Sequence, residues 1–162
     1  MKTTRLIAAI AAMVAGCGAP ETKQVQAACE PPPATIVTKD LVEGDGRTAI
    51  PLTSALVFYT GWVYDPCKPD HKGAEFDTNV GKRVPFGFRI GAGKVIKGWD
   101  ESLPGMKEGG KRLMIIPSAY GYGATEIPGK IPANSALVFE VDLVQLSGPG
   151  LPPPMNRQVP AK

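Results

Sequence analysis

The residues able to do acid–base, metal or nucleophilic chemistry are few in this chain. His71 is the sole histidine, which excludes most histidine-based catalysis and every multi-histidine metal site. It stands among lysines and aspartate in "DPCKPDHKGAE", where a solvated side chain is expected. Asp77, Asp100 and Glu101 are the carboxylates to weigh as a hydrolytic pair. Asp100 and Glu101, however, follow Trp99 at the start and on the face of a short helix, where acids are ordinary. "GAGK", Gly91–Lys94, is no phosphate loop: Phe88 stands at the first glycine position, and Val95 replaces the serine or threonine. The chemistry left is aromatic. "KVIKGWDESL", residues 94–103, places one of only two tryptophans on a very short helix, with Val95, Ile96 and Leu103 on the face of Trp99.

The elements around it alternate as β-structure. In "RVPFGFRI", Val84, Phe86, Phe88 and Ile90 alternate with polar or small residues, the period of a half-buried strand. "ALVFEVDLVQL" puts Leu137, Phe139, Val141 and Leu143 on one face and Glu140 and Asp142 on the other. "SALVFYTGWVY" and "KRLMIIP" are two further strands, and "ATIVT" supplies a fifth, with turn chemistry in "EGDGR" after it. A single sheet with one helix must bury its apolar face on that helix, so Trp99 is expected at the plug between them. Trp62, three residues after Tyr59, falls on the opposite strand face. "KEGGKR", Lys107–Arg112, reads as a solvated hairpin turn. Phe76 and Tyr122 stand beside turns, where aromatic residues often line a site.

The ends of the chain are of another kind. Met1–Arg5 is basic, Leu6–Ala15 is an apolar run of ten, and small residues follow, the pattern of a secretory signal. Ten residues are roughly half of what a membrane-spanning helix needs. "VAGC", Val14–Cys17, resembles the bacterial lipoprotein cleavage box. That resemblance implies a signal peptide of residues 1–16, a lipid on Cys17, and an exported protein at the outer membrane, facing the periplasm or the cell surface. The other reading is an ordinary signal with an incidental cysteine. Without residues 1–16 the chain holds sixteen basic and fifteen acidic residues, which argues against an electrostatic nucleic-acid binder. With Cys17 lipidated, Cys29 and Cys67 remain as an even pair, either bridged or two free thiols. Residues 17–34 read as a spacer stiffened by "PPP", 35–147 as one domain, and 148–162 as a proline-rich disordered tail.

The motifs "FYTGWVY", "EFDT", "VPFGFRIGAGKVIKGWDESLPGMKEGGKRLMIIP" and "YGYGATEIPGKIPANSALVFEVDLV" resemble, in order and spacing, the FKBP-type peptidyl-prolyl isomerases. The resemblance implies an α+β fold, an antiparallel sheet of about five strands wrapped around one short helix. It implies a pocket between helix and sheet with the Trp99 indole as its floor, receiving a proline ring. Tyr59, Asp77, Trp99 and Tyr122 would be the catalytic set, and Phe76, Phe86, Val95, Ile96, Ile131 and Phe139 the substrate-binding set. The Tyr122 hydroxyl and the Ile96 backbone N–H would bond substrate carbonyls, with Asp77 a polar contact near the twisting amide. The segment from Tyr64 to Phe76 is longer than in the minimal family domain, and Ile127 stands where many relatives carry a polar or histidine side chain.

The function so implied is rotation of X–Pro bonds in exported proteins, assisting their folding, with no metal or cofactor. Partners would be proline-containing polypeptides, the macrolides tacrolimus and rapamycin as inhibitors, and a membrane through the lipid, but no nucleic acid. The alternative functions are a proline-peptide binding or holdase module without turnover, and a structural surface lipoprotein.

Overall fold

The computed structural model describes residues 29–152 of the chain. The signal sequence, Cys17 and the end of the tail lie outside the described residues. Six antiparallel strands form one sheet: β1 (Val37–Val42), β2 (Ser54–Tyr64), β3 (Lys72–Thr78), β4 (Phe86–Arg89), β5 (Lys111–Ile116) and β6 (Leu137–Ser147). Their order is β1-β5-β6-β2-β3, and β4 pairs with the part of β2 that β3 leaves free. One helix, α1 (Lys97–Ser102), lies between β4 and β5 in the chain.

Why α1 forms where it does follows from burial rather than propensity. Six residues cannot sustain a helix alone. Trp99 and Leu103 are buried against Met114, Ile116, Phe139 and Val141 of the sheet, within one continuous core. Gly98 makes the approach close: a Cβ there would come within 2.5 Å of the Ile116 side chain. Each fully buried aliphatic side chain contributes about 1.5–3 kcal/mol relative to exposure.

Several expectations are corrected. The helix begins at Lys97, so Val95 and Ile96 precede it instead of sharing its face; Ile96 is the N-cap, with extended backbone, and its carbonyl accepts the N–H groups of Trp99 and Asp100. The strand read over residues 83–90 is shorter. Val84 is 74% exposed and outside it, because Pro85 has no N–H to give a ladder and the β2 register stops at Val57↔Phe86. The polar stretch before Phe76 is not all loop, since β3 begins at Lys72 on the free edge of β2. His71 is not solvated: its ring stacks on Tyr64 at 4.7 Å, with Glu30 at 3.8 Å. Trp62, half-buried, carries Lys72 Nζ over its ring at 4.7 Å.

"KEGGKR" departs furthest. Glu108 and Arg47 form an ion pair at 2.7 Å, with side chains only 12% and 10% exposed. Glu108 also accepts the backbone N–H groups of Arg47 and Leu146, and Arg47 donates to the Leu146 carbonyl. Arg112 is buried, holding Asp40 of β1 with two N–H groups and donating a third to the Ser102 carbonyl at the end of α1.

The two ends of the described segment are tied to this body. Cys29 and Cys67 form a disulfide, the Glu30 N–H donates to the Pro66 carbonyl, and the Tyr64 hydroxyl donates to the Glu30 carbonyl. Beyond β6, Leu151 packs against the core, so residues 148–152 do not belong to a disordered tail.

Burial alone would raise the Glu108 carboxyl, but the Arg47 hydrogen bonds, the Leu146 N–H and the Arg47 charge bring it below its ordinary value of 4.5. A depressed folded pKa adds stability that is present above the ordinary value and lost as pH falls through the folded one. Glu108→Ala is expected to lower the unfolding free energy, since it leaves the largely covered Arg47 guanidinium and the Leu146 N–H without their acceptor. Glu108→Gln is expected to flatten, in part, the acid limb of stability against pH in urea denaturation; Asp40, lowered by its Arg112 hydrogen bond, accounts for some of the remainder.

Candidate active site

A cleft of about 420 Å³ opens between α1 and the sheet. Each wall comes from a different element. Tyr59 is supplied by β2, Phe76 and Asp77 by β3, Phe86 by β4, Phe139 by β6, and Trp99 by α1. Val95 and Ile96 come from the approach to the helix, and Tyr122 from the loop before β6.

Trp99 forms the floor and is only 4% exposed. The rings of Tyr59 and Phe139 meet it nearly at right angles, with centroids 5.1 and 5.4 Å away. Phe86, at 6.3 Å, and Phe88, at 5.4 Å, complete the surround. Edge-to-face pairs of this kind add about 0.5–1.5 kcal/mol each beyond area burial. The indole Nε1 is buried without a hydrogen-bond partner among the described residues. Gly61 leaves room for two wall residues: a Cβ there would lie 2.7 Å from Phe76 and 2.8 Å from Phe139, which meet edge-on at 5.6 Å.

The polar side chains lining the cleft are Tyr59, Asp77, Lys94 and Tyr122. The Tyr59 hydroxyl donates to Asp77 Oδ2 at 2.6 Å. Burial, followed by the hydrogen bond to Asp77, pushes the Tyr59 phenol far above its ordinary value. Burial and the charge of Asp77 also push Tyr122 up. Both phenols are therefore neutral donors at physiological pH. Tyr59 spends its proton on Asp77, whereas Tyr122, partly exposed at the mouth, can offer its own to a carbonyl. The approach to α1 is shaped by Asp100, whose carboxylate accepts the N–H groups of Gly91 at 2.7 Å and Gly93 at 2.9 Å. Both glycines have positive φ, which other residues adopt only at a cost. That turn delivers Val95 and Ile96 to the cleft.

Comparison with known proteins gives this arrangement its family. The family model described as FKBP-type peptidyl-prolyl cis-trans isomerase matches residues 46–144. The chain belongs to that family. The FK506-binding protein of Neisseria meningitidis serogroup A is 43% identical over 112 residues, covering 69% of this chain and 96% of the relative. The FK506-binding protein 1B of Aspergillus fumigatus is 47% identical over 94 residues, 57% of this chain and 78% of the relative. The human peptidyl-prolyl cis-trans isomerase FKBP2 is 48% identical over 88 residues, 54% of this chain and 57% of the relative.

The FKBP-type cleft brings together Tyr59, Phe76, Asp77, Phe86, Val95, Ile96, Trp99, Tyr122 and Phe139. It does not include Ile131. That side chain is buried in the core, where Ile131 bridges Ile127, and it faces a second hollow of about 490 Å³ beside the end of β2. Sequence reasoning missed Gly93 and Lys94 on the rim, Phe88 behind the indole, and the turn-building task of Asp100. Phe88 had a signal, the alternation with Ile90; the Asp100 contact had none, because its partners are backbone.

The elevated Tyr59 phenol gives a direct check. Ultraviolet difference titration is expected to find Tyr59 still protonated where an ordinary phenol, pKa 10.0, has ionised. Asp77→Ala is expected to bring that ionisation down only part of the way, since burial is the larger cause.

Proposed function

We propose that this isomerase uses the cleft over Trp99 to speed rotation about X–Pro bonds of exported polypeptides, from a membrane-anchored position. The observation that carries the proposal is the Trp99 floor, an aromatic surface ringed by Tyr59, Phe86 and Phe139 in the cleft. An X–Pro amide rotates over a barrier of roughly 18–20 kcal/mol because twisting the C–N bond breaks resonance. The twisted amide is less dipolar than the planar one, so apolar walls favour it relative to the ground state, and only such differential stabilisation raises the rate. Every ~1.4 kcal/mol gained is a factor of ten. Trp99 receives the ring, the Ile96 N–H and the Tyr122 hydroxyl hold the flanking carbonyls, and the Tyr59–Asp77 pair sets a fixed dipole beside the twisting bond. No covalent intermediate is needed.

Export is supported by the basic start, apolar run and "VAGC" box of the sequence, and by the Cys29–Cys67 disulfide, a bond that persists in oxidising compartments. In this reading Cys17 carries the lipid, and the domain works at the outer membrane, facing the periplasm or the cell surface. A mass spectrum of the mature protein is expected to show a chain beginning at an acylated Cys17. An unmodified cysteine or an earlier first residue would defeat the anchor. Relatives bearing the name FK506-binding protein support tacrolimus and rapamycin as ligands that fill the same cleft.

Cis–trans exchange of a Leu-Pro or Phe-Pro peptide, followed by NMR with a soluble chain beginning at Gly18, tests the activity. Acceleration that tacrolimus abolishes is expected. Trp99→Leu, which keeps apolar volume without the ring, is expected to lower kcat/KM at least about tenfold while the fold persists. Tacrolimus binding without acceleration would instead establish a proline-peptide binding module.

A further inference from the structure

The edge of β2 changes partner at Tyr59. Residues Ser54–Val57 pair with β4, and Thr60–Tyr64 pair with β3. Phe58 and Tyr59 lie between the two and have no strand partner on that edge. Unmatched backbone groups at a half-buried position cost free energy, and they leave the residue loosely held. Asn79, just past the end of β3 and 5% exposed, fills the gap. Its Oδ1 accepts the Tyr59 N–H at 2.6 Å, and its Nδ2 donates to the Val57 carbonyl at 3.1 Å. Its own backbone N–H donates to the Tyr59 carbonyl at 3.1 Å. The side chain and backbone N–H of Asn79, with the Thr78 hydroxyl also donating to the Tyr59 carbonyl, thus complete the ladder that neither strand reaches.

Asn79 also stands two residues after Asp77, whose carboxylate holds the Tyr59 hydroxyl. Tyr59 is therefore gripped at its backbone and at its hydroxyl by the same end of β3. We propose that Asn79 is a positioning residue for the isomerase: by locking the Tyr59 backbone to the end of β3, it fixes the Tyr59–Asp77 pair against the cleft. The proposal rests on the reading of that pair as part of the working cleft. Asn79 touches no substrate and does not line the cavity. Only a carboxamide presents an acceptor and a donor at the spacing of successive strand groups, so alanine removes both bonds. Aspartate keeps the acceptor toward Tyr59 and loses the donor toward Val57.

The test is a double-mutant cycle on peptide exchange, combining Asn79→Ala with Tyr59→Phe, together with the NMR resonance of the Tyr59 hydroxyl proton. Asn79→Ala is expected to lower kcat about tenfold with little change in KM, since it misplaces the pair without touching bound peptide. In the Tyr59→Phe background the same substitution is expected to change kcat by less than about twofold, because the hydroxyl it positions is gone. The hydroxyl resonance is expected to shift or vanish in Asn79→Ala. An equal loss in both backgrounds, with the resonance unmoved, would overturn the proposal and leave the cleft reading intact. Should Asn79→Ala not fold, Asn79→Asp and Asn79→Ser carry the same comparison. Should the unaltered chain fail to accelerate exchange, the isomerase reading of the cleft fails. The hydroxyl resonance then decides Asn79 alone: displaced upholds the positioning, unmoved overturns it.

Discussion

The contact between the Trp99 ring and the sheet is the constraint from which the rest of the molecule follows. Six helical residues have no stability of their own in water. They persist because Trp99 and Leu103 are driven into the apolar face of β5 and β6, and because Gly98 lets the helix backbone settle on Ile116. Arg112 reinforces the seat from the far end, donating to the Ser102 carbonyl while Asp40 neutralises it. The ring that anchors the helix is also the surface a ligand meets. One face of the indole system belongs to the core and the other to the cleft, so fold and site share a residue.

That sharing explains how a cleft so apolar can be rigid. The Tyr59, Phe86 and Phe139 rings stand edge-on to Trp99. Their polar complement is correspondingly small. Asp77 is the one carboxylate on the wall, and the Tyr59 hydroxyl is spent on it. A fixed dipole of this sort needs no reorganisation when a substrate's own dipole changes, which is the condition under which electrostatics favours a transition state over a ground state. The Asp100 carboxylate serves the same end from outside the cavity by holding the Gly91–Gly93 turn.

How much of this could be read in the sequence depends on whether a residue's task was periodic. β2, β5 and β6 declared themselves because one face is buried along their length, as in Leu137, Phe139, Val141 and Leu143. β3 did not: it is an edge strand of "KGAEFDT", only partly buried, and its two register shifts break any alternation. The pattern of residues 84–90 promised more than the chain delivers, since Pro85 and the turn after Asn79 end the ladder at Phe86. The cleft residues became legible chiefly through family motifs, with Phe86 and Phe139 also marked by period; of them, Ile131 alone does not line the cleft. Glu108 and Arg112 were invisible as buried ions because their partners, Arg47 and Asp40, lie more than sixty positions away.

The longer segment ahead of β3 acquires meaning from what it touches. Cys67 lies in the turn that leads into β3, and β3 continues through Phe76 and Asp77 to Asn79. The disulfide to Cys29 and the Glu30 contacts to Pro66 and Tyr64 therefore brace the start of the strand whose end grips Tyr59. An edge strand has neighbours on one side only and frays more readily than a central one. Pinning both of its ends, by a covalent bond at one and by a carboxamide at the other, holds a wall of the cleft that the sheet alone would hold less firmly.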